Sequence, residues 1–281
     1  LSLSIYCTAW TFYGAVGYAA RSGLEFLTIY LGPTAVLIGW WLILRRLVRI
    51  ARAERITSIA DLISSRFGKS AFLGGLVTVM AVVGTTPYIA LQLQSVTLSV
   101  SAFAKDAQSI VSTSNIALWI AAGLTVFTII FGTRNLDVNE RHSGVVMAIA
   151  VEAIVKLLAL LAVGAFVVWG LAGGVGDVLT RIDASPISQW QVSTGRWVGL
   201  TFLSAAAFLC LPRMFQVMVV ENSEESHLAT AGWAFPLYLL LMSLFVIPIA
   251  VVGLDILPAG SNPDLFVLTL PLSAEQNGLA M

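Results

Sequence analysis

Apolar residues run along this chain in long blocks separated by short polar stretches. They show neither the two-residue alternation of strands nor the single apolar stripe of a soluble helix. A bilayer core takes about 20 apolar residues per helix. Seven blocks come near that length, at roughly 2–20, 24–47, 71–103, 114–132, 143–173, 195–219 and 229–254. The pattern predicts an all-α, multi-pass membrane protein with about seven transmembrane helices. Because Leu1 lies inside an apolar run with no initiator Met or basic leader, the first block reads as a true span and not a signal peptide. No helix stop signal closes residues 273–281, so both ends are expected to be cut. Between the second and third blocks, residues 57–67 combine a Thr/Ser start, Asp61 in the first turn and an apolar stripe at helical spacing. They predict a short helix on the membrane surface.

Composition agrees with that pattern. Hydrophobic residues make up 58% of the 281, charged residues 11%, and mean hydropathy is +0.91. A soluble domain carries roughly 25% charged residues, so a lipid bilayer is the expected partner. Zero net charge argues against nucleic acid. The placement of Lys and Arg says more than their sum. Arg45, Arg46, Arg49, Arg52, Arg55, Arg66, Lys69, Arg134, Arg141 and Arg213 fall on one side of the expected spans. Arg21, Lys105, Arg181 and Arg196 fall on the other. By the positive-inside rule the chain starts on the cytoplasmic side. The arginine cluster at 45–55 reads as this topological anchor, against a docking site for lipid or a partner domain. Cys7 and Cys210 both lie in apolar segments at neither zinc nor redox spacing. His142 and His227 are loop residues with no ligand cluster around them, and no phosphate loop, nucleophile elbow or zinc motif occurs. An enzyme is not expected.

Three features depart from a merely packed bundle. Span one, residues 6–17, is unusually polar and aromatic, and Gly14 and Gly17 weaken its outer half. In span six Pro212 removes a backbone donor and frees a carbonyl one turn earlier. Interrupted helices in corresponding positions of two halves point to a midplane binding site. The alternative is glycines for close packing and an ordinary proline kink. The third feature is Glu152 and Lys156, an i,i+4 ion pair expected to face the interior, either as a structural strut or in contact with a solute or ion. In span three, Tyr88 and Gln92 share a face that could reach a polar cavity, while Gln94 looks elsewhere.

Residues 6–23 (YCTAWTFYGAVGYAARSG), 60–70 (ADLISSRFGKS) and 87–93 (PYIALQL) resemble the sodium:solute symporter family. The closest likeness is to the symporter-like membrane domain fused to sensor histidine kinases. The resemblance implies a five-plus-five inverted repeat of the leucine-transporter type, truncated at both ends here. Residues 1–281 would form an incomplete symporter-like domain, with the first repeat at about 1–173 and the start of the second at about 195–254. Thr8, Trp10 and Thr11 would line the solute pocket from span one, with Phe208 opposite on span six. Backbone carbonyls of Ser4 and Cys7 would face a sodium ion, and the family's hydroxyl ligands would fall beyond Met281. Where proline-type members carry an aspartate in the first core helix, this chain has Tyr6.

Together these readings give secondary active transport of a small organic solute, an amino acid or carboxylate, by alternating access in the plasma (inner) membrane. Sodium is the coupling ion that the resemblance implies, and no other cofactor is expected. The alternative is a membrane solute-sensing domain that signals to a cytoplasmic kinase module, fused or associated, outside this sequence.

Overall fold

A computed structural model describes residues 5–103, 113–131, 143–191, 193–222 and 224–280. Every regular element among them is helical. Ile5 and Tyr6 are helical, the backbone leaves helical geometry at Cys7 and Thr8, and a π-helical stretch Trp10–Gly14 then leads into α1, Ala15–Ser22. A 3-10 turn Gly23–Phe26 leads into α2, Leu27–Ile38. The chain turns at 39–43 before α3, Leu44–Glu54. The second apolar block is therefore not one straight span to residue 47. Hydropathy does not register this turn, because Trp40 to Leu44 are as apolar as the helix before them. On α3, Leu44, Val48 and Ala51 are buried one turn apart, and Arg45, Arg46, Arg49 and Arg52 are exposed. That is the pattern of a helix lying along a membrane surface.

The short surface helix expected at 57–67 is α4, Ile59–Arg66. Its start is held by reciprocal capping. The Asp61 N–H donates to Ser58 Oγ at 3.1 Å, and the Thr57 N–H donates to Asp61 Oδ2 at 3.0 Å. Helix α5, Ala71–Phe103, packs against α4 and against α6, Thr113–Phe131. At 1.5 Å per residue its 33 residues reach about 50 Å, beyond the roughly 30 Å hydrocarbon core. Phe72, Met80, Val83, Trp119 and Ile129 stand more than half exposed along α5 and α6. These faces require lipid as their solvent.

Helix α7, Ser143–Ala165, continues as a π-helical stretch Phe166–Leu171, and α8 is the short Val175–Ala184. Helix α9, Thr194–Cys210, is followed by α10, Pro212–Phe215, which runs on as a π-helical stretch Gln216–Val220. The two parts are bent by 59°. Leu211 sits at the bend in extended geometry, and the Phe208 carbonyl lacks its helical donor because residue 212 is proline. Helices α11, Ser226–Ser243, and α12, Val246–Ile256, together form one apolar run. A 3-10 turn Pro263–Leu265 then opens α13, Phe266–Ser273, and α14 is the terminal turn Asn277–Ala280.

Among the described residues three apolar helical runs are long enough to cross a membrane, Ala71–Phe103, Ala150–Leu171 and Ser226–Ile256, and the bent α9–α10 pair makes a fourth. The apolar helices Asn115–Ile130 and Pro263–Ser273 are shorter. Expectation and structure differ because blocks one and two are interrupted at 7–8 and 39–43, and hydropathy counts apolar length without regard to breaks. The chain is an all-α membrane protein.

At the centre α2 packs on α9 and α11, while α1 packs on α12 and the 263–265 turn. The α2–α9 contact is almost backbone to backbone. A Cβ on Gly32 would lie 2.5 Å from Ala205 N and 2.7 Å from Thr201 O.

Candidate binding cavity

Where the two interrupted helices approach each other lies an open cavity of about 380 Å³. Tyr6, Thr8, Trp10 and Thr11 line it from the first, and Ser204, Ala207, Phe208, Leu211 and Arg213 from the second. Helix α5 closes a third side with Tyr88, Leu91 and Gln92. Thr8, Trp10, Thr11, Tyr88, Gln92 and Phe208, singled out in the sequence, thus all border one space.

Local chemistry explains how these walls are held. The Tyr88 hydroxyl donates to Thr8 Oγ1 at 2.8 Å, joining α5 to the break in span one. Pro33 lies inside α2, so the Ile29 carbonyl has no helical N–H to accept. Tyr6 Oη donates to it at 2.7 Å and Ser204 Oγ at 2.9 Å, so one carbonyl joins α2 to both interrupted helices. The rings of Tyr6, Phe208 and Phe235 stand 5.4–5.6 Å apart in edge and tilted contacts. Phe208 is fully buried and forms part of the cavity wall.

Other candidates lie around the cavity. Gly14 and Gly17 do not break the helix: the interruption is at Cys7 and Thr8, and both glycines serve close packing. A Cβ on Gly14 would meet the Trp10 ring, and one on Gly17 would stand in the Asp264 carboxylate. Pro212 directly follows the bend. Gln94 faces away from the main cavity, into a cleft with Trp10, Arg21 and Asp264. Ser4, Lys105, Arg134, Arg141 and His142 lie outside the described residues.

Glu152 and Lys156 pair at 2.5 Å, with Glu152 half exposed. Lys156 Nζ also donates to the Cys7 carbonyl at 3.4 Å. This contact bears on sodium. Of the two carbonyls implied for the ion, Cys7 O already accepts from an ammonium group, and Ser4 is not described. No group of three or more His, Cys, Asp or Glu side chains is placed to hold a metal among the described residues.

Arg213 was the residue that sequence reasoning placed elsewhere. Counted among the flanking positive charges, it instead lines the cavity, its guanidinium 4.2 Å above the centre of the Tyr88 ring. Its Nε is buried without a hydrogen-bond partner. The usable signal was its place directly after Pro212, where a bend turns the first residues of α10 toward the cavity.

These features define a class: a helical membrane protein whose two interrupted helices, far apart in sequence, border a space of small-molecule size. The chain is similar to "Uncharacterized symporter YhjB" of Bacillus subtilis (strain 168), with 27% identity over 278 residues. The match covers 95% of this chain and 53% of that protein, so the chain spans about half the length of the curated relative it matches. No protein-family profile and no solved structure matches the chain.

Proposed function

We propose that this chain is the solute-binding part of a secondary transporter that carries a small organic solute by alternating access. The observation that carries this reading is the cavity of about 380 Å³ at the meeting of two interrupted helices. Its volume lies within the range of small-molecule sites. Interrupted helices around a midplane cavity are the arrangement on which transporters rock one bundle against the other. Similarity to a relative described as a symporter supports the same reading. In this proposal residues at about 1–173 belong to the first half of an inverted repeat and those at about 195–254 open the second. The bundle sits in the plasma membrane with its start in the cytoplasm. Distribution of charge supports that orientation, since Arg45, Arg49 and Arg52 gather at one end of α2, and Glu25 and Arg196 at the other. The chain itself carries no catalysis.

The test is uptake into proteoliposomes by the full-length parent protein, over a panel of labelled amino acids and carboxylates, with and without a sodium gradient. Accumulation of one solute above equilibrium is expected, and Thr8→Trp should abolish it while the protein still inserts and folds. Solute binding that is never followed by accumulation would overturn transport and turn attention to a signalling partner. Unchanged affinity in Thr8→Trp would remove span one from the site.

A further inference from the structure

We infer that the solute is an organic monocarboxylate without an ammonium group, and that Arg213 is the residue that anchors its carboxylate. The inference rests on the transport reading for the identity of the cavity, and deepens it by naming a chemical class. The main observation is an uncompensated cation. Arg213 lines the cavity, and among the described residues it makes no ion pair and no hydrogen bond. Its guanidinium lies over the face of Tyr88, at 4.2 Å. A guanidinium presents five donors in a planar fork that fits two carboxylate oxygens. Contact with the Tyr88 ring restrains that fork before a ligand arrives, which lowers the entropy lost on binding.

The rest of the lining defines the body of the solute. Among the described residues no Asp or Glu side chain borders the cavity, so an amino acid's ammonium would find no carboxylate among them. The Cys7 carbonyl at the break in span one accepts from Lys156, and Cys7 is not among the described residues that line the cavity. Leu91, Leu203, Ala207 and Leu211 make most of the wall apolar. An inorganic anion would satisfy Arg213 and leave those walls facing water. A carboxylate on a short aliphatic or aromatic body satisfies both, and the Thr8 and Tyr88 hydroxyls can take a second polar group.

The test uses the purified full-length protein in lipid nanodiscs, with binding and thermal stabilisation as readouts. The probes are hexanoate, phenylacetate and lactate, each beside its amide, together with phenylalanine, proline, glucose and inorganic phosphate. At least one carboxylate should bind, with its amide weaker by about tenfold or more, the usual loss with a charge-assisted hydrogen bond. Arg213→Gln should weaken that carboxylate by a similar factor, and Arg213→Lys by less. Equal binding of acid and amide overturns the inference, as does preference for phosphate, for a neutral or zwitterionic probe, or for none of the panel. Should Arg213→Gln fail to fold, the comparison of acid with amide on the unaltered protein still decides. Uptake of a neutral solute with Arg213→Gln unaffected would leave transport standing and sink the carboxylate anchor. Arg213-dependent carboxylate binding without uptake would do the reverse.

Discussion

Ile29 presents a carbonyl that its own helix cannot use, because Pro33 stands where the donor should be. Tyr6 and Ser204 both donate to it. Either bond alone satisfies the carbonyl, so Tyr6→Phe and Ser204→Ala should each cost about 1 kcal/mol. The double variant leaves a buried acceptor with no donor and should cost more than the sum, by a further 1 kcal/mol or so. Chemical unfolding in detergent reads the difference, and strict additivity would mean that another donor reaches Ile29. The Lys156 ammonium is shared in a similar way, between Glu152 and the Cys7 carbonyl. Lys156→Ala strands both partners and should destabilise the protein more than the double change Glu152→Ala with Lys156→Met, which strands only the carbonyl. Equal or reversed stabilities would remove the pair from the structural account. At this scale much was legible: Tyr88 and Gln92 were found because polar side chains in apolar helices need a cavity or a partner, and Thr8 through the family resemblance. Arg213 was misread because a cation near a helix end looks the same whether it flanks the membrane or turns inward. The choice is made by the bend at Leu211, a backbone feature.

Among the elements, α2 and α9 depend on the missing side chain at Gly32. Helix propensity favours Gly32→Ala by about 1 kcal/mol. The added Cβ would nevertheless meet the backbone of Thr201 and Ala205, which cannot swing aside as a side chain can. The variant should therefore lose stability and weaken solute binding together, since Ser204 lines the cavity from the same stretch of α9. Normal melting with normal binding would show that the two helices have slack. Gly17, by contrast, meets the Asp264 carboxylate first, a side chain that can turn away at the cost of its 2.9 Å pairing with Arg21, and only one backbone atom, Asp264 N at 2.9 Å. Gly17→Ala should therefore be the milder change. Glycine content thus signalled close approach correctly but did not locate the interruption, which falls at Cys7 and Thr8, where no glycine or proline marks it. Pro212 did mark the second bend, because a missing N–H is a covalent property visible in the sequence. The turn at 39–43 went unseen because hydropathy is blind to direction.

Across the whole molecule, ionic contacts gather toward the ends of the helices. At one end Arg45 and Arg49 hold Glu225 at 3.0 and 2.7 Å, and Arg52 reaches the Asn222 carbonyl. At the other, the buried Glu25 carboxylate accepts from Arg196 and Tyr18. Hydrogen bonds from Arg49 and Arg45 hold the Glu225 carboxyl down at about 2. Its folded value is lowered, so the contact contributes fully above the ordinary carboxylate range and fades as pH falls through about 2. Glu225→Gln should leave stability near pH 7 only slightly lower, because the contact is solvent-exposed and screened. It should also flatten the decline of stability below pH 4.5; an unchanged acid profile would mean that Glu225 is not ionically held in solution. The overall class was readable from apolar blocks and sparse charge alone, whereas the pairing of α2 with α9 and α11 depends on contacts across some 170–200 residues of chain that no local pattern encodes. One coincidence of placement has a practical use. Each interruption carries a thiol, Cys7 buried at the first and Cys210 exposed just before the second. The protein therefore holds two intrinsic reporters of its own motion. Alkylation at Cys7, timed against Cys210 as an internal clock, would record how often the first break opens and how a bound solute changes that frequency, with no label engineered into the chain.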